Sequence, residues 1–279
     1  MEALVYKPMA EANAETDTET TAQPFRLTFF RNSMSENTPL NSDTPDKNTP
    51  NQKRRAIRSF VIRASRMSDS QRKAHTDYWP QWGLALEDGV LDCQKVFGRS
   101  APLVFEIGFG MGDSLATMAE NEPDKDFVGI EVHPPGVANL LKLIEEKKLS
   151  NLRIYNTDVI EVLKQCIPME SIERVQIYFP DPWPKKRHHK RRLIQPQFLE
   201  LLKPKMKESA VLHVATDWQD YAEQTLELLN KTADLANSAD VDYLARPDYR
   251  PLTKFEKRGI NLGHSIYDLI FRHSKINEK

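Results

Sequence analysis

The stretch LVFEIGFGMG occupies residues 103–112, and a helical pattern begins directly after it, near Asp113. Its first half is a run of apolar and β-branched residues, which predicts a buried strand. Gly108, Gly110 and Gly112 then permit a tight turn into the helix. A strand, a glycine-rich turn and a helix in this order are typical of α/β proteins that bind ligands at the carboxyl ends of their strands. Alone, the turn also fits a plain strand-to-helix connection.

The alternation of short apolar runs with helical patterns continues to the end of the chain. Further strands are predicted over residues 127–131, 152–156, 175–179, 210–216 and 265–272. Helices are predicted near Pro135, Val159 and Pro196 and over residues 217–231. This order predicts a parallel sheet with crossover helices. We expect an α/β, Rossmann-like fold with a seven-stranded, mostly parallel sheet, helices on both faces and an antiparallel last strand.

The composition is that of a soluble globular protein, with 39% hydrophobic and 28% charged residues among 279. The sequence contains neither an apolar stretch long enough to span a bilayer nor a secretory signal, so we expect a cytoplasmic protein without membrane contact. Cys93 and Cys166 lack the spacing of metal ligands, and no metal site is predicted.

The N-terminal region has a different composition. Residues 32–52 are rich in Asn, Ser, Thr and Pro and contain few side chains that a core could bury. Such a segment cannot offset the entropy lost on ordering. We therefore predict a disordered extension over residues 1–52, in which only the apolar run 24–30 could dock, and a folded domain over residues 53–279.

Basic residues are concentrated in two runs, although the net charge is only −1. Residues 52–66 and residues 185–192 each contain six Lys or Arg. A charge run is usually a solvated face. Two such runs in a nearly neutral protein, one of them next to an unusual loop, favour a nucleic acid partner.

Acidic residues mark the ends of three predicted strands. Glu106 stands two residues before the first glycine, Glu131 ends the second strand, and Asp158 follows the third. A dinucleotide fingerprint would require glycine where the chain has Asp113, and a carboxylate is a poor neighbour for a pyrophosphate. A carboxylate suits a cofactor that carries an ammonium and a sulfonium. Glu131 is able to accept from ribose hydroxyls and Asp158 from the adenine amine, so we expect S-adenosylmethionine.

The loop after the fourth strand reads FPDPWPKKRHHKRR, residues 179–192. Its alternating prolines restrict the backbone and present Asp181, Trp183 and Lys185 in an extended arrangement. With this loop the chain resembles the bacterial tRNA (guanine-N7)-methyltransferase family over about residues 54–279. The other shared motifs are RSFVIR (58–63), EIGFGMG (106–112), GIEVH (129–133), NTDV (156–159), TDW (216–218) and TKFEKRG (253–259).

The resemblance implies a class I methyltransferase fold, the cofactor S-adenosylmethionine and methyl transfer to N7 of the variable-loop guanine, position 46, of tRNA. It implies Asp181 as the catalytic residue. It implies cofactor contacts from Glu106, Gly108, Gly110, Glu131, Asp158 and Asp181, and substrate contacts from Lys185, Asp217, Thr253, Lys254, Phe255 and Glu256. We expect the rest of the basic run to bind RNA phosphates: Lys186, Arg187, His188, Lys190, Arg191 and Arg192.

The chemistry of the acceptor agrees with a carboxylate at the site. Guanine N7 carries a lone pair and no proton, so methyl transfer needs no general base. It needs in-line positioning and a group that offsets the charge growing on the purine, and Asp181 supplies both. Trp183 either stacks on a base or is structural.

Three other interpretations remain open at this point. The chain could be a methyltransferase of the same fold that acts on another RNA or a protein, a non-catalytic RNA-binding relative, or a nicotinamide enzyme. The basic loop argues against a protein acceptor, the complete cofactor motif against loss of catalysis, and Glu106 against a nicotinamide enzyme. We expect a monomer or homodimer without an obligate protein partner.

Overall fold

The structure is a computed structural model, and it describes residues 58–60, 66–239, 241–261 and 263–274. The predicted extension over residues 1–52 and most of the first basic run lie outside the described residues. The boundary between extension and domain therefore stays a prediction.

A mixed sheet of eight strands forms the centre of the described residues. In chain order the strands are β1 Gly83–Leu84, β2 Leu103–Ile107, β3 Asp126–Ile130, β4 Leu152–Tyr155, β5 Ile172–Tyr178, β6 Met206–Thr216, β7 Leu235–Asn237 and β8 Tyr267–His273. Across the sheet their order is β1-β4-β3-β2-β5-β6-β8-β7. Strands β1 to β6 pair in parallel, and β8 is antiparallel to both β6 and β7.

Eight α-helices connect or cover these strands within the described residues. They are α1 Asp69–Trp82, α2 Cys93–Phe97, α3 Asp113–Asn121, α4 Pro134–Lys147, α5 Val159–Gln165, α6 Pro196–Leu202, α7 Gln219–Lys231 and α8 Lys254–Asn261. Short 3₁₀ segments occupy Leu86–Asp88, Lys186–Arg191 and Lys203–Lys205. None of the helices in the described part of the chain is long and apolar enough to cross a membrane.

The central strands of the sheet are buried along most of their length, as parallel strands covered by helices usually are. Consecutive side chains point to opposite faces of a strand. Val104 packs with residues of α3 and α4, whereas its neighbour Phe105 packs with residues of α5, α6 and α7. The helices therefore cover both faces.

The prediction of a mostly parallel Rossmann-like sheet with an antiparallel last strand is confirmed. The predicted number of seven strands is one too low for the described residues. Two observed strands lack a predicted range: β1, of two residues, pairs with β4 at one edge of the sheet, and β7, of three residues, pairs with β8 at the other. Strands this short leave no periodic pattern in the sequence.

Candidate active site at the carboxyl ends of the strands

A cavity of about 290 Å³ lies at the carboxyl ends of β2, β3 and β5 and at the loop that follows β4. Ligands of open α/β sheets bind in this position. The lining comes from five of the sequence motifs and includes Gly108, Glu131, Asp158 and Asp181. The cavity thus brings together the predicted glycine turn, two of the predicted cofactor acids and the candidate catalytic residue.

Glu131 is held in the cavity by backbone amides on both of its carboxylate oxygens. Oε2 accepts from the N–H of Gly110 at 2.8 Å, and Oε1 accepts from Val132 at 2.7 Å and His133 at 2.9 Å. Burial raises the pKa of this carboxyl, and the backbone hydrogen bonds act in the opposite direction. The carboxylate therefore ties the glycine turn to the end of β3, with a lone pair left on Oε2 for a ligand hydroxyl.

Glu106 is buried on β2, with 3% of its surface exposed. Its Oε2 has no hydrogen-bond partner among the described residues. Burial raises the pKa of this carboxyl to about 8, against an opposing effect of the Arg174 charge and a reinforcing effect of Glu131. A buried polar atom without a partner calls for an explanation. A cationic ligand supplies one, because it would stabilise the charged carboxylate.

The glycine turn follows a path that side chains would obstruct. Gly110 has a φ of +60°, in the left-handed region that L side chains rarely adopt. Gly136 on α4 packs so closely against the turn that a Cβ there would lie 2.0 Å from the carbonyl oxygen of Gly110. The close approach of helix and turn makes Gly136 part of the site, although the sequence patterns do not single it out.

Asp158 lines the cavity and also begins α5 as its N-cap. Its Oδ1 accepts from the N–H of Ile160 at 3.0 Å. A capping carboxylate keeps its second oxygen for other partners. The predicted adenine contact is therefore compatible with the structural role.

Together these residues fit S-adenosylmethionine. The unpartnered buried oxygen of Glu106 suits a cationic group, and the oxygens of Glu131 and Asp158 that remain available suit hydroxyl and amine donors. Among the described residues, the cavity lining contains acidic and apolar residues together with Ser59, Thr157 and His133, and it contains no Lys or Arg, which would favour a phosphate.

Asp181 lies at the exposed rim of the cavity, two residues after Phe179. The N–H of Phe179 donates to the carbonyl of Ala215 on β6 at 2.7 Å, so the loop leaves the sheet from a paired position. Among the described residues, the Asp181 carboxylate has neither a hydrogen-bond partner nor an ion-pair partner. It is therefore available to a substrate that enters from solvent.

Trp183 contacts protein on several sides. Its Nε1 donates to the carbonyl of Ser59 at 3.0 Å, and the guanidinium of Arg191 lies 4.0 Å from the ring centroid. His188 meets the ring edge-on at 5.9 Å. Of the two roles open for Trp183, these contacts favour the structural one.

The basic run divides into an exposed group and a buried residue. Lys185, Lys186, Arg187 and Lys190 are exposed, and His188 and Arg191 are partly buried. Arg192 is buried, with 2% of its surface exposed, and it is bonded to protein groups. The structure therefore corrects the expectation of an RNA contact from Arg192, because its guanidinium is not accessible to a phosphate.

The predicted substrate residues beyond the loop gather near α8. Oδ2 of Asp217 lies 3.6 Å from Nδ1 of His264. Thr253 and Glu256 form a capping box at the start of the helix, with 3.0 Å from the Glu256 N–H to Thr253 Oγ1 and 3.3 Å from the Thr253 N–H to Glu256 Oε2. For Lys254 and Phe255 the structure describes only the backbone, which is helical.

Glu256 is buried and paired with Arg250, a residue that belongs to none of the sequence motifs. A direct contact of its carboxylate with substrate is not supported by this arrangement. Ser59 and Phe60 were part of a motif without an assigned role, and both line the cavity. No local pattern indicates these roles, because the partners are distant in sequence.

Comparisons with known proteins identify the family of this chain. A family model described as "Putative methyltransferase" matches residues 100–269. A tRNA (guanine-N(7)-)-methyltransferase of Paraburkholderia xenovorans (strain LB400) is 52% identical over 240 residues, which cover 86% of this chain and 91% of that protein. One of Chromobacterium violaceum is 54% identical and covers 78% of this chain and 96% of that protein.

Among solved structures, the chain is similar to a 16S rRNA (adenine(1408)-N(1))-methyltransferase from Catenulisporales acidiphilia. The TM-score is 0.48 at 15% identity, over 70% of this chain and 94% of that one. The identity to the curated relatives extends over most of both sequences, and on that ground the chain belongs to the tRNA (guanine-N(7)-)-methyltransferase family.

Proposed function

We propose that this protein transfers the methyl group of S-adenosylmethionine to N7 of the guanine at position 46, in the variable loop of tRNA. The observation that carries the proposal is the position of Asp181, an available carboxylate at the rim of the cavity formed by the cofactor motifs. The proposed enzyme acts in the cytoplasm on tRNA, as a monomer or homodimer without an obligate protein partner.

The first task of the protein in this reaction is to hold the cofactor. Glu106, Glu131 and Asp158 would bind it, together with the backbone of the turn at Gly108 and Gly110. When bound, S-adenosylmethionine supplies an electrophilic methyl group on a sulfonium. Glu106 offsets positive charge in a buried environment, where a carboxylate acts most strongly.

The second task is to orient the guanine. Asp181 accepts hydrogen bonds from N1–H and the exocyclic amine, an edge that adenine lacks. Its negative charge offsets the positive charge that develops on the purine as N7 is alkylated. No residue has to remove a proton from N7, so a fixed carboxylate is sufficient.

The third task is to hold the tRNA backbone. Lys186, Arg187 and Lys190 form an exposed basic surface on the 3₁₀ segment that follows the Asp181 loop. Contacts to phosphates fix the position of the protein along the RNA, but they do not recognise the base sequence. The basic surface therefore presents the variable loop to a site that recognises guanine.

Product analysis at a single nucleotide tests this proposal. Purified protein is incubated with methyl-labelled cofactor and a tRNA transcript, and the RNA is treated with borohydride and aniline, which cleave at N7-methylguanosine. We expect label and cleavage at the variable-loop guanine, and neither in a transcript with adenine there. Label without cleavage at this position would exclude the proposed acceptor atom.

A further inference from the structure

Arg192 is the last basic residue of the run 185–192, and it is buried, whereas four of the other basic residues of the run are exposed. Its side chain has no exposed surface, in contrast to the exposed Lys186, Arg187 and Lys190 of the same run. A buried guanidinium is costly unless polar groups surround it. The position of Arg192 must therefore be stabilised by specific partners within the protein.

Those partners connect the loop after β5 to helix α7. The Nε of Arg192 donates to the carbonyl of Pro182 at 2.8 Å. Its two terminal nitrogens donate to the carboxylate of Asp220 and the amide oxygen of Gln224, both on α7. The guanidinium also lies 4.9 Å from the ring centroid of Tyr221. The hydrogen bond to Arg192 is the main cause of a lowered pKa at Asp220.

The loop after β5 depends on contacts with other parts of the protein for its conformation. Pro180, Pro182 and Pro184 have no N–H, so the loop has few donors with which to stabilise itself. Trp183 has a φ of +47°, an unfavourable conformation for a residue with a side chain. Conformations of this kind persist where the surrounding structure fixes them. Arg192 fixes the carbonyl on one side of Trp183.

We propose that Arg192 is a positioning residue, which holds the loop through Pro182 so that the adjacent Asp181 faces the substrate. The inference rests on the proposed function, in which Asp181 orients the guanine. Arg192 acts on catalysis through the loop and does not bind tRNA phosphates. Because the Arg192 guanidinium is also bonded to Asp220 and Gln224, helix α7 supports the position of Arg192.

The test separates catalysis from phosphate binding within one basic run. Arg192→Lys keeps the charge but loses the planar set of donors that reaches both the loop and α7. We expect kcat to fall by roughly a hundredfold, the size of effect that a displacement of about 1 Å produces. The salt dependence of tRNA binding and the cofactor Kd should stay at wild-type values.

Lys190→Ala is the matched variant at an exposed position of the run. We expect Lys190→Ala to raise the KM for tRNA more than it lowers kcat. The slope of log Kd against log salt should decrease by nearly one, as for one lost phosphate contact. If Arg192→Lys shows this pattern, Arg192 binds phosphate and the proposal is wrong.

A second variant covers the case in which Arg192→Lys does not fold. Asp220→Asn changes the partner on α7, at a side chain that is 60% exposed. We expect a smaller loss of kcat with an unchanged salt slope. In the double variant the two losses should be less than additive, since both act on one contact. An Asp220→Asn variant with wild-type kcat would overturn the proposal.

The wild-type protein in the same assay separates a failure of the proposed function from a failure of the positioning role proposed for Arg192. Methylation of an acceptor other than guanine N7 would refute the proposed function. The effect of Arg192→Lys on kcat toward that acceptor would still decide whether Arg192 positions the loop.

Discussion

The two terminal nitrogens of Arg250 donate to the two carboxylate oxygens of Glu256, at 2.7 and 2.9 Å. Both side chains are buried. Arg250 also binds Asp268 of β8 through two hydrogen bonds of 2.8 Å, and Asp268 lies 2.7 Å from Nε2 of His213 on β6. This network joins the start of α8, where the predicted substrate residues lie, to the central sheet.

Glu256→Gln should destabilise the protein. The amide keeps one acceptor but loses the charge, and a hydrogen bond to a charged group contributes about 2 kcal/mol. We expect urea unfolding to show a loss of about this size in the free energy of unfolding. The exposed Glu227 pairs with Lys231 on α7, and Glu227→Gln is the control that should leave stability unchanged. Wild-type stability with a large loss of kcat would instead indicate a direct substrate contact.

The raised pKa of Glu106 predicts a specific dependence of protein stability on pH. Its folded pKa of about 8 lies above the ordinary value of 4.5, so the folded protein binds more protons than the unfolded chain between these values. The contribution of Glu106 to stability is therefore fully present below about pH 4.5 and declines as the pH rises toward about 8. Unfolding of the cofactor-free protein across this range should show a steeper decline in the wild type than in Glu106→Gln, in which Glu131 still titrates with a raised pKa.

The same carboxyl should couple cofactor binding to pH. A cationic ligand favours the ionised carboxylate, so binding of S-adenosylhomocysteine, which retains the ammonium, should tighten as the pH rises toward about 8. Isothermal titration in buffers of different ionisation enthalpy would also detect release of a proton on binding. Glu106→Gln should bind weakly and without this pH dependence. An equal pH dependence in both proteins would contradict the role assigned to Glu106.

The N-terminal extension should be dispensable for folding. A protein that begins at Asn51 should keep its melting temperature and most of its methyl transfer, because residues 32–52 offer little that a core could bury. Thermal unfolding and the labelled-cofactor assay are the measurements. A large decrease in either would show that the apolar run 24–30 docks on the folded domain.

The sequence predicted the features that depend on local patterns. The glycine turn and the apolar strands have clear periodicity, and Asp181 belongs to a distinctive loop. Helix α1 was not predicted, because it contains Pro80 and buries only Ala74 and Trp82, so its apolar pattern is weak.

Roles that depend on distant partners could not be predicted. Arg192 carries the same charge as the exposed Lys and Arg residues of its run, and only the position of α7 makes it a buried support. Glu256 matches a substrate motif, but its carboxylate is paired with Arg250. In both cases the residue type shows that the side chain is charged. Tertiary packing decides whether that charge faces solvent, substrate or other groups of the protein.

Asp181 provides the most direct test of the mechanism. Asp181→Ala should keep the fold and the cofactor affinity but lose methyl transfer, because removal of a preorganised electrostatic contact costs roughly a hundredfold to a thousandfold in rate. Asp181→Asn separates charge from shape. The amide keeps one acceptor oxygen but turns an NH₂ donor toward the donors of guanine, so it should also be severely impaired.

The pH dependence of these variants distinguishes an orienting carboxylate from a general base. Guanine N7 carries no proton, so the residual activity of Asp181→Ala should not be restored at higher pH. The measurement is single-turnover methyl transfer at saturating cofactor, over a pH range in which the variant stays folded. Activity that recovered with pH would mean that Asp181 removes a proton from the acceptor, and the acceptor would then be a protonated group other than guanine N7.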